Sequence, residues 1–145
     1  MNARLQIENF ANIRHADIDL RDINVFIGPQ ASGKSLILKL MYYFNKVALK
    51  FCYPHSIDDK KTDLDTVIKY DFSEYFTLSA LGSDGFRVQY IDDNGWISVK
   101  RQKDQENITI EHSDSFDVLW NQNVRTSPRD MGVQYVDSLS HFEHI

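Results

Sequence analysis

Apolar and polar residues alternate at the start of the chain, with Leu5 and Ile7 and then Ile18 and Leu20 as the apolar members. That period of two predicts two short β-strands joined by a turn over Asn9 to His15. The pattern changes at "INVFI", Ile23 to Ile27, which is almost continuously apolar. Such a run predicts a strand buried on both faces, the usual state of a central strand in an α/β sheet. From Lys34 to about Lys50 the period becomes helical. Ile37, Leu40, Met41, Phe44 and Ala48 form one stripe, and Leu36 and Tyr43 widen it. A helix this apolar is expected to be covered on more than one side. The chain then turns polar, and Pro54 to Asp65 reads as a surface connection. Asn94-Gly95 predicts a two-residue hairpin that pairs Tyr90 with Val99 and Asp92 with Ile97. Phe86, Val88, Tyr90, Ile97 and Val99 then share one face. Ile108 and Ile110 suggest a third strand after the polar turn Lys103 to Asn107. Ser115 to Asn123 reads as a short helix capped by Ser113 or Asp114. Gly132 to Val136 is the strand-like piece of the C-terminal stretch.

The chain therefore divides near Lys50. Residues 1–50 carry the first strands, a Gly-rich loop and a helix, and residues 51–145 carry a linker, an antiparallel meander and a short helix of the same domain. A length of 145 residues suits one domain with a core. Apolar content of 42% and charged content of 26% fit a globular rather than a disordered chain. The formal net charge of −5 argues against a broad phosphate-binding face. A single cysteine, Cys52, leaves no internal disulfide framework, so a reducing, cytoplasmic setting is expected. The N-terminal "MNARLQIENF" has no basic region followed by an apolar core, so no signal peptide is expected. Lys39, Asn45 and Lys46 break the longest apolar stretch, so no membrane partner is expected either. The five histidines show no metal-ligand spacing, and Asp58, Asp59, Asp92 and Asp93 fit turns better than catalysis.

Candidate chemistry concentrates in "GPQASGKS", Gly28 to Ser35, which satisfies G-x-x-x-x-G-K-[ST]. A loop that wraps a phosphate must aim several backbone N–H groups inward, and glycine permits the necessary conformations and close approach. The helix that follows adds the partial positive charge of its N-terminus. Gly28, Pro29, Gln30, Ala31, Ser32, Gly33, Lys34, Ser35 and Leu36 are the candidate nucleotide contacts. Lys34 is placed to reach the β- and γ-phosphates and is the candidate catalytic residue. The Ser35 hydroxyl is the candidate Mg²⁺ ligand. ATP and Mg²⁺ are the implied cofactors. The alternative is a purely structural Gly-rich turn between a strand and a helix.

The segment "LQIENFANIRHADIDLRDINVFIGPQASGKSLILKLMYYF" resembles the opening of an ABC-type ATPase head. Among such heads it is similar to the ATPases related to RecF, the structural maintenance of chromosomes proteins and the overcoming-lysogenization-defect nucleases. Ile7, Asn9, Phe10, Ile13, Ile18, Leu20, Ile23, Asn24, Val25, Ile27 and Gly28 sit where that pattern wants them. The resemblance covers about the first 45 residues and is weak beyond. Gln30 is a departure, since many relatives carry Asn there.

The fold that the resemblance implies is an α/β P-loop NTPase N-lobe with an antiparallel β-subdomain and an incomplete C-lobe. It also implies that the turn between the first two strands runs close to the nucleotide, where Arg14 could touch phosphate or base; the alternative is a solvated surface arginine. Gln134 in "GVQYVD" is the candidate for the glutamine that contacts Mg²⁺ and water in relatives, against a solvent-facing strand glutamine. A Walker B strand ending in Asp-Glu, an "S-G-G"-type signature and a switch histidine are not recognisable. In relatives these come from a C-terminal lobe, so the chain is expected to be a fragment, a truncated product, or completed by a partner.

The leading expectation is thus an ATP-binding segment that acts in DNA repair, nucleic-acid processing or phage defence. Its partners would be nucleotide, a second head in a homodimer or larger assembly, nucleic acid reached through that assembly, and an effector or nuclease. Nucleotide would act as the dimerisation switch. A nucleotide-responsive scaffold without turnover and a P-loop kinase are the alternatives.

Overall fold

The computed structural model describes residues 2–52, 55–56 and 63–125. Strands β1 (Ala3–Phe10) and β2 (Ile13–Leu20) open the fold, and helix α1 (Lys34–Cys52) follows the Gly-rich loop. A short strand β3 (His55–Ser56), helix α2 (Leu64–Tyr75) and a 3₁₀ turn (Leu78–Leu81) lead to strands β4 (Phe86–Asp92), β5 (Gly95–Arg101) and β6 (Thr109–His112). Helix α3 (Asp114–Asn123) and strand β7 (Val124–Arg125) end the described part. The main sheet has five strands in the order β2-β1-β4-β5-β6, antiparallel at every pairing. Strands β3 and β7 form a separate parallel pair.

The register gathers most of the apolar positions on one face, while Ile91 and Trp96 pair on the other. Leu5 lies opposite Ile18 and Tyr90, and Tyr90 opposite Ile97; Ile7 lies opposite Val88, and Val99 opposite both Val88 and Ile110. That face packs against Leu40, Tyr43, Phe44 and Val47 of α1, Leu64, Ile68 and Phe72 of α2, and Phe116 and Trp120 of α3, in one continuous core. The outer face is otherwise polar, with Gln6 opposite Asp17 and Gln89, and Ser98 opposite Gln89 and Glu111. Ion pairs Arg4–Asp17 at 2.5 Å and Lys100–Glu111 at 2.6 Å cross it. Aromatic rings fill the end of the core nearest the β1–β2 turn. The Phe10 ring sits 5.0 Å from Phe86, 5.5 Å from Phe76 and 6.0 Å from Phe72, each at a steep angle favoured by the ring quadrupoles.

A change of phase in β1 brings Phe10 inward. Leu5 and Ile7 are two apart, as a strand requires, whereas Phe10 is three beyond Ile7, and all three are fully buried. Asn9, with φ of 52°, turns the strand in a left-handed conformation, which Asn adopts more readily than most residues; the pairing with β2 keeps one register from Ala3–Leu20 to Phe10–Ile13, so Ile13 and Ala16 of β2 change phase with it. The β1–β2 turn is consequently only Ala11 and Asn12, shorter than the Asn9 to His15 turn expected from the pattern.

Two further expectations are corrected. Ile23 to Ile27 is not a buried strand of an α/β sheet: it belongs to no ladder, and Ile23, Val25 and Ile27 are 81%, 76% and 92% exposed. An apolar run becomes a buried strand only where neighbouring strands receive it, and the main sheet ends at β2 on that side. Asn24 turns the chain into this segment, accepting a hydrogen bond from the Arg21 amide and donating to the Asp19 carbonyl.

The hairpin register is also two residues away from the expected one. Tyr90 pairs with Ile97, Val88 with Val99 and Asp92 with Gly95, so the turn is Asp93-Asn94. The Asp92 carboxylate accepts from the Asn94 amide at 2.8 Å and closes the turn one position earlier. A slip of two preserves the faces, so the predicted inward set still holds.

Helix α2 falls in a stretch for which the pattern predicts no element, ahead of the meander. Asp63 caps it by accepting from the Thr66 amide at 3.0 Å, and Leu64, Ile68 and Phe72 form its buried stripe at intervals of four. The third strand and the helix after Ser113 stand close to where the pattern predicts them. The strand-like piece Gly132 to Val136 lies outside the described residues.

Candidate functional site

Gly28 to Ser35 forms an exposed loop that runs directly into α1. Lys34 is the first helical residue, and the first helical hydrogen bond is from the Ile37 amide to the Gly33 carbonyl at 3.0 Å. Gly33 thus occupies the N-cap position. Two left-handed residues shape the loop, Ala31 with φ of 61° and Gly33 with φ of 94°. Left-handed residues within a short turn curl the backbone so that N–H groups converge on one side, a geometry suited to anions. No acidic side chain lies in the first turn of α1, so nothing there neutralises the partial positive charge of the helix end.

Lys34 Nζ folds back over this loop. It donates to the Gly28 carbonyl at 2.6 Å, to the Pro29 carbonyl, and to Ser32 Oγ at 3.1 Å. These contacts use all three of its donors on the loop itself. Gly28, Pro29, Gln30, Ala31, Ser32 and Ser35 are exposed, Lys34 is half-buried, and Leu36 packs partly against the core. The Ser35 hydroxyl is therefore on the solvent side of the helix start. Among the described residues no group of three or more His, Cys, Asp or Glu side chains could hold a metal ion.

Two residues outside the candidate site support the loop from behind. Asn12 Nδ2 donates to the Ala31 carbonyl at 2.7 Å. Ile13 packs so tightly beneath Gly33 that a Cβ there would fall 2.8 Å from Ile13 Cγ1. Both come from the β1–β2 turn, so the sheet and the loop form one unit. The only sequence signal was the "F-x-x-I" spacing of Phe10 and Ile13, which places both side chains in the core. Arg14 follows Ile13 on β2, and its side chain is exposed. Gln134 lies outside the described residues.

The other charged groups serve the fold. His112 Nε2 lies 2.8 Å from Asp65 and Nδ1 3.7 Å from Asp117, linking β6 to the first turns of α2 and α3. Arg101 is buried and donates to the Leu78, Gly82 and Asp84 carbonyls, which folds the segment between α2 and β4 against β5. Tyr43 donates to the Ile68 carbonyl, and burial raises its phenol well above the ordinary range. Among the described residues no helix is long and apolar enough to cross a membrane.

No curated protein and no solved structure matches the chain. A family model does, over residues 1–130, and its description is an AAA ATPase domain, a nucleotide-binding ATPase family. That match spans the described strands, the Gly-rich loop and helices α1 to α3, and the chain belongs to the AAA ATPase domain family.

Proposed function

We propose that this chain is the nucleotide-binding N-lobe of a P-loop ATPase and that residues 28–36 bind the phosphates of ATP with Mg²⁺. The observation that carries this reading is the curled loop on the start of α1, with Lys34 Nζ held across it by two carbonyls and a hydroxyl. A triphosphate offers the lysine stronger, charge-assisted acceptors than those carbonyls. On binding, Lys34 exchanges its loop contacts for the β- and γ-phosphates. The loop amides and the helix end take the remaining charge, and the Ser35 hydroxyl ligates Mg²⁺. Arg14, exposed on β2, is a further candidate for the same ligand, with a solvated surface arginine as the alternative.

The resemblance of the first 45 or so residues to the RecF, chromosome-maintenance and overcoming-lysogenization-defect ATPases supports a finer reading. In it the lobe works in nucleic-acid repair, processing or phage defence, and nucleotide closes two heads on each other. The same reading gives Ile23 to Ile27 a role. Its exposed apolar side chains suit a strand at the heart of a parallel sheet that a C-lobe or a partner completes. A scaffold that binds nucleotide without turnover is the second reading, favoured by the lack of a recognisable Walker B Asp-Glu in the sequence.

Calorimetric titration of the folded chain with Mg·ATP tests the proposal. Wild type binds, and Lys34→Ala weakens binding by about 1.5–3 kcal/mol, the range for hydrogen bonds to charged groups. Equal affinity of the two proteins would remove Lys34 from the site.

A further inference from the structure

The contact between Asn12 and Ala31 joins residues 19 apart in sequence at a position where the backbone is unfavourable for a residue with a Cβ. A left-handed alanine persists only where its surroundings hold it. Here the surroundings are specific. Asn12 Nδ2 takes the Ala31 carbonyl at 2.7 Å, and the Gly33 backbone rests on Ile13, with the Asn12 Oδ1 atom at 3.4 Å from where a Gly33 Cβ would stand. The holder is itself fixed. Phe10 and Ile13 are buried on either side of the turn, and Ala11, with φ of 52°, turns the chain between them.

A carbonyl and the N–H of the following residue point in opposite directions across a planar trans peptide. Drawing the Ala31 carbonyl toward Asn12 therefore turns the Ser32 N–H to the other side of the loop. We propose that Asn12 is a positioning residue of the phosphate loop: its side-chain amide sets the 31–32 peptide plane so that the Ser32 N–H faces the bound phosphate. This inference rests on the phosphate-binding reading of residues 28–36. It adds that the β1–β2 turn preorganises the empty loop, which lowers the ordering cost of binding.

The experiment compares wild type, Asn12→Ala, Asn12→Asp and Lys34→Ala. Mg·ATP affinity is measured by calorimetry, and the Ser32 amide of the ligand-free proteins by ¹⁵N NMR and hydrogen exchange. Thermal unfolding is the control. Asn12 is exposed, so the melting temperature should hold in both Asn12 variants. Asn12→Ala should weaken Mg·ATP by about three- to tenfold, the range of one neutral hydrogen bond. It should also shift the Ser32 amide and speed its exchange. Asn12→Asp keeps the shape but sets a carboxylate oxygen against a carbonyl oxygen, and should weaken binding at least as much. An unchanged Ser32 amide in both variants overturns the inference, as does affinity lost only in step with a lowered melting temperature. Wild-type affinity in both Asn12 variants, with binding lost in Lys34→Ala, overturns Asn12 alone. Failure of the wild type to bind Mg·ATP overturns the phosphate reading and the inference with it.

Discussion

At the scale of single residues, Gly33 carries two constraints at once. Its φ of 94° lies where side chains are strained, and Ile13 occupies the place of a Cβ. In a phosphate loop glycine is ordinarily explained by the ligand's approach, but here the β1–β2 turn alone already excludes a side chain. Gly33→Ala should therefore destabilise the protein without ligand, by about 1–3 kcal/mol for overpacking and backbone strain together. Urea unfolding measures it, and a variant as stable as wild type would show that Ile13 yields freely. Asp17 gives a pH-dependent case. The hydrogen bonds from Arg4, both at 2.5 Å, hold its carboxyl below the ordinary aspartate range. A depressed folded value means that the Arg4–Asp17 bridge stabilises the fold above about pH 4, the unfolded aspartate value, and fades as pH falls through the lower folded value. Both side chains are exposed, so the effect on stability is small. A carboxyl NMR titration should place the Asp17 midpoint below that of an unstructured aspartate, and Arg4→Ala should bring it back up. A midpoint indifferent to Arg4 would remove the bridge as its cause.

At the scale of elements, α2 shows why a helix can escape a reading of periodicity. Leu64, Ile68 and Phe72 keep the helical interval, but Lys69, Asp71 and Glu74 intervene and the polar connection before it suggests a longer loop. The Asp63 cap, which also accepts from the Thr66 hydroxyl at 2.7 Å, fixes where the helix begins. Asp63→Ala should cost about 1 kcal/mol, typical of a lost N-cap, and denaturant titration against wild type checks it. No change in midpoint would mean that burial of Leu64 alone sets the start of α2. The hairpin offers a parallel lesson. Two successive positions that tolerate positive φ signal a turn, but its centre depends on which side chain closes it. Asp92 does so, and Gly95 is then needed for a different reason: a Cβ there would lie 2.1 Å from Ser113 Oγ.

For the whole molecule, the proposed reading supplies more of the parts for binding than of the parts for turnover. ATP hydrolysis needs phosphates held, Mg²⁺ held, a water oriented and transition-state charge neutralised. In the proposed reading Gly28 to Ser35 supplies the first and one ligand for the second. The 145-residue chain by itself should therefore bind Mg·ATP and release phosphate at a negligible rate. An assembly or longer chain that supplies a C-lobe should turn ATP over in a Lys34-dependent manner. Each missing 1.36 kcal/mol of transition-state stabilisation is about a tenfold loss of rate, so a phosphate-release assay separates the two cases. Brisk, Lys34-dependent hydrolysis by the 145-residue chain would mean that a catalytic carboxylate is already present. Asp92, Asp93, Asp137 and Glu143 are then the first positions to substitute.

Local chemistry was written in the sequence. The period of two at Leu5 and Ile7, the helical stripe after Lys34 and the spacing of Gly28, Gly33, Lys34 and Ser35 each depend on neighbours a few residues away. Strands β1 and β2 and helix α1 accordingly stand where those patterns put them. The fate of "INVFI" depended instead on whether other strands flank it, which no local pattern encodes, and the fold leaves it exposed. The Asn12 hold on Ala31 was likewise decided in three dimensions, by one hydrogen bond between residues 19 apart. The hairpin centre is a choice among turns of similar local energy that the Asp92 carboxylate settles through the Asn94 amide.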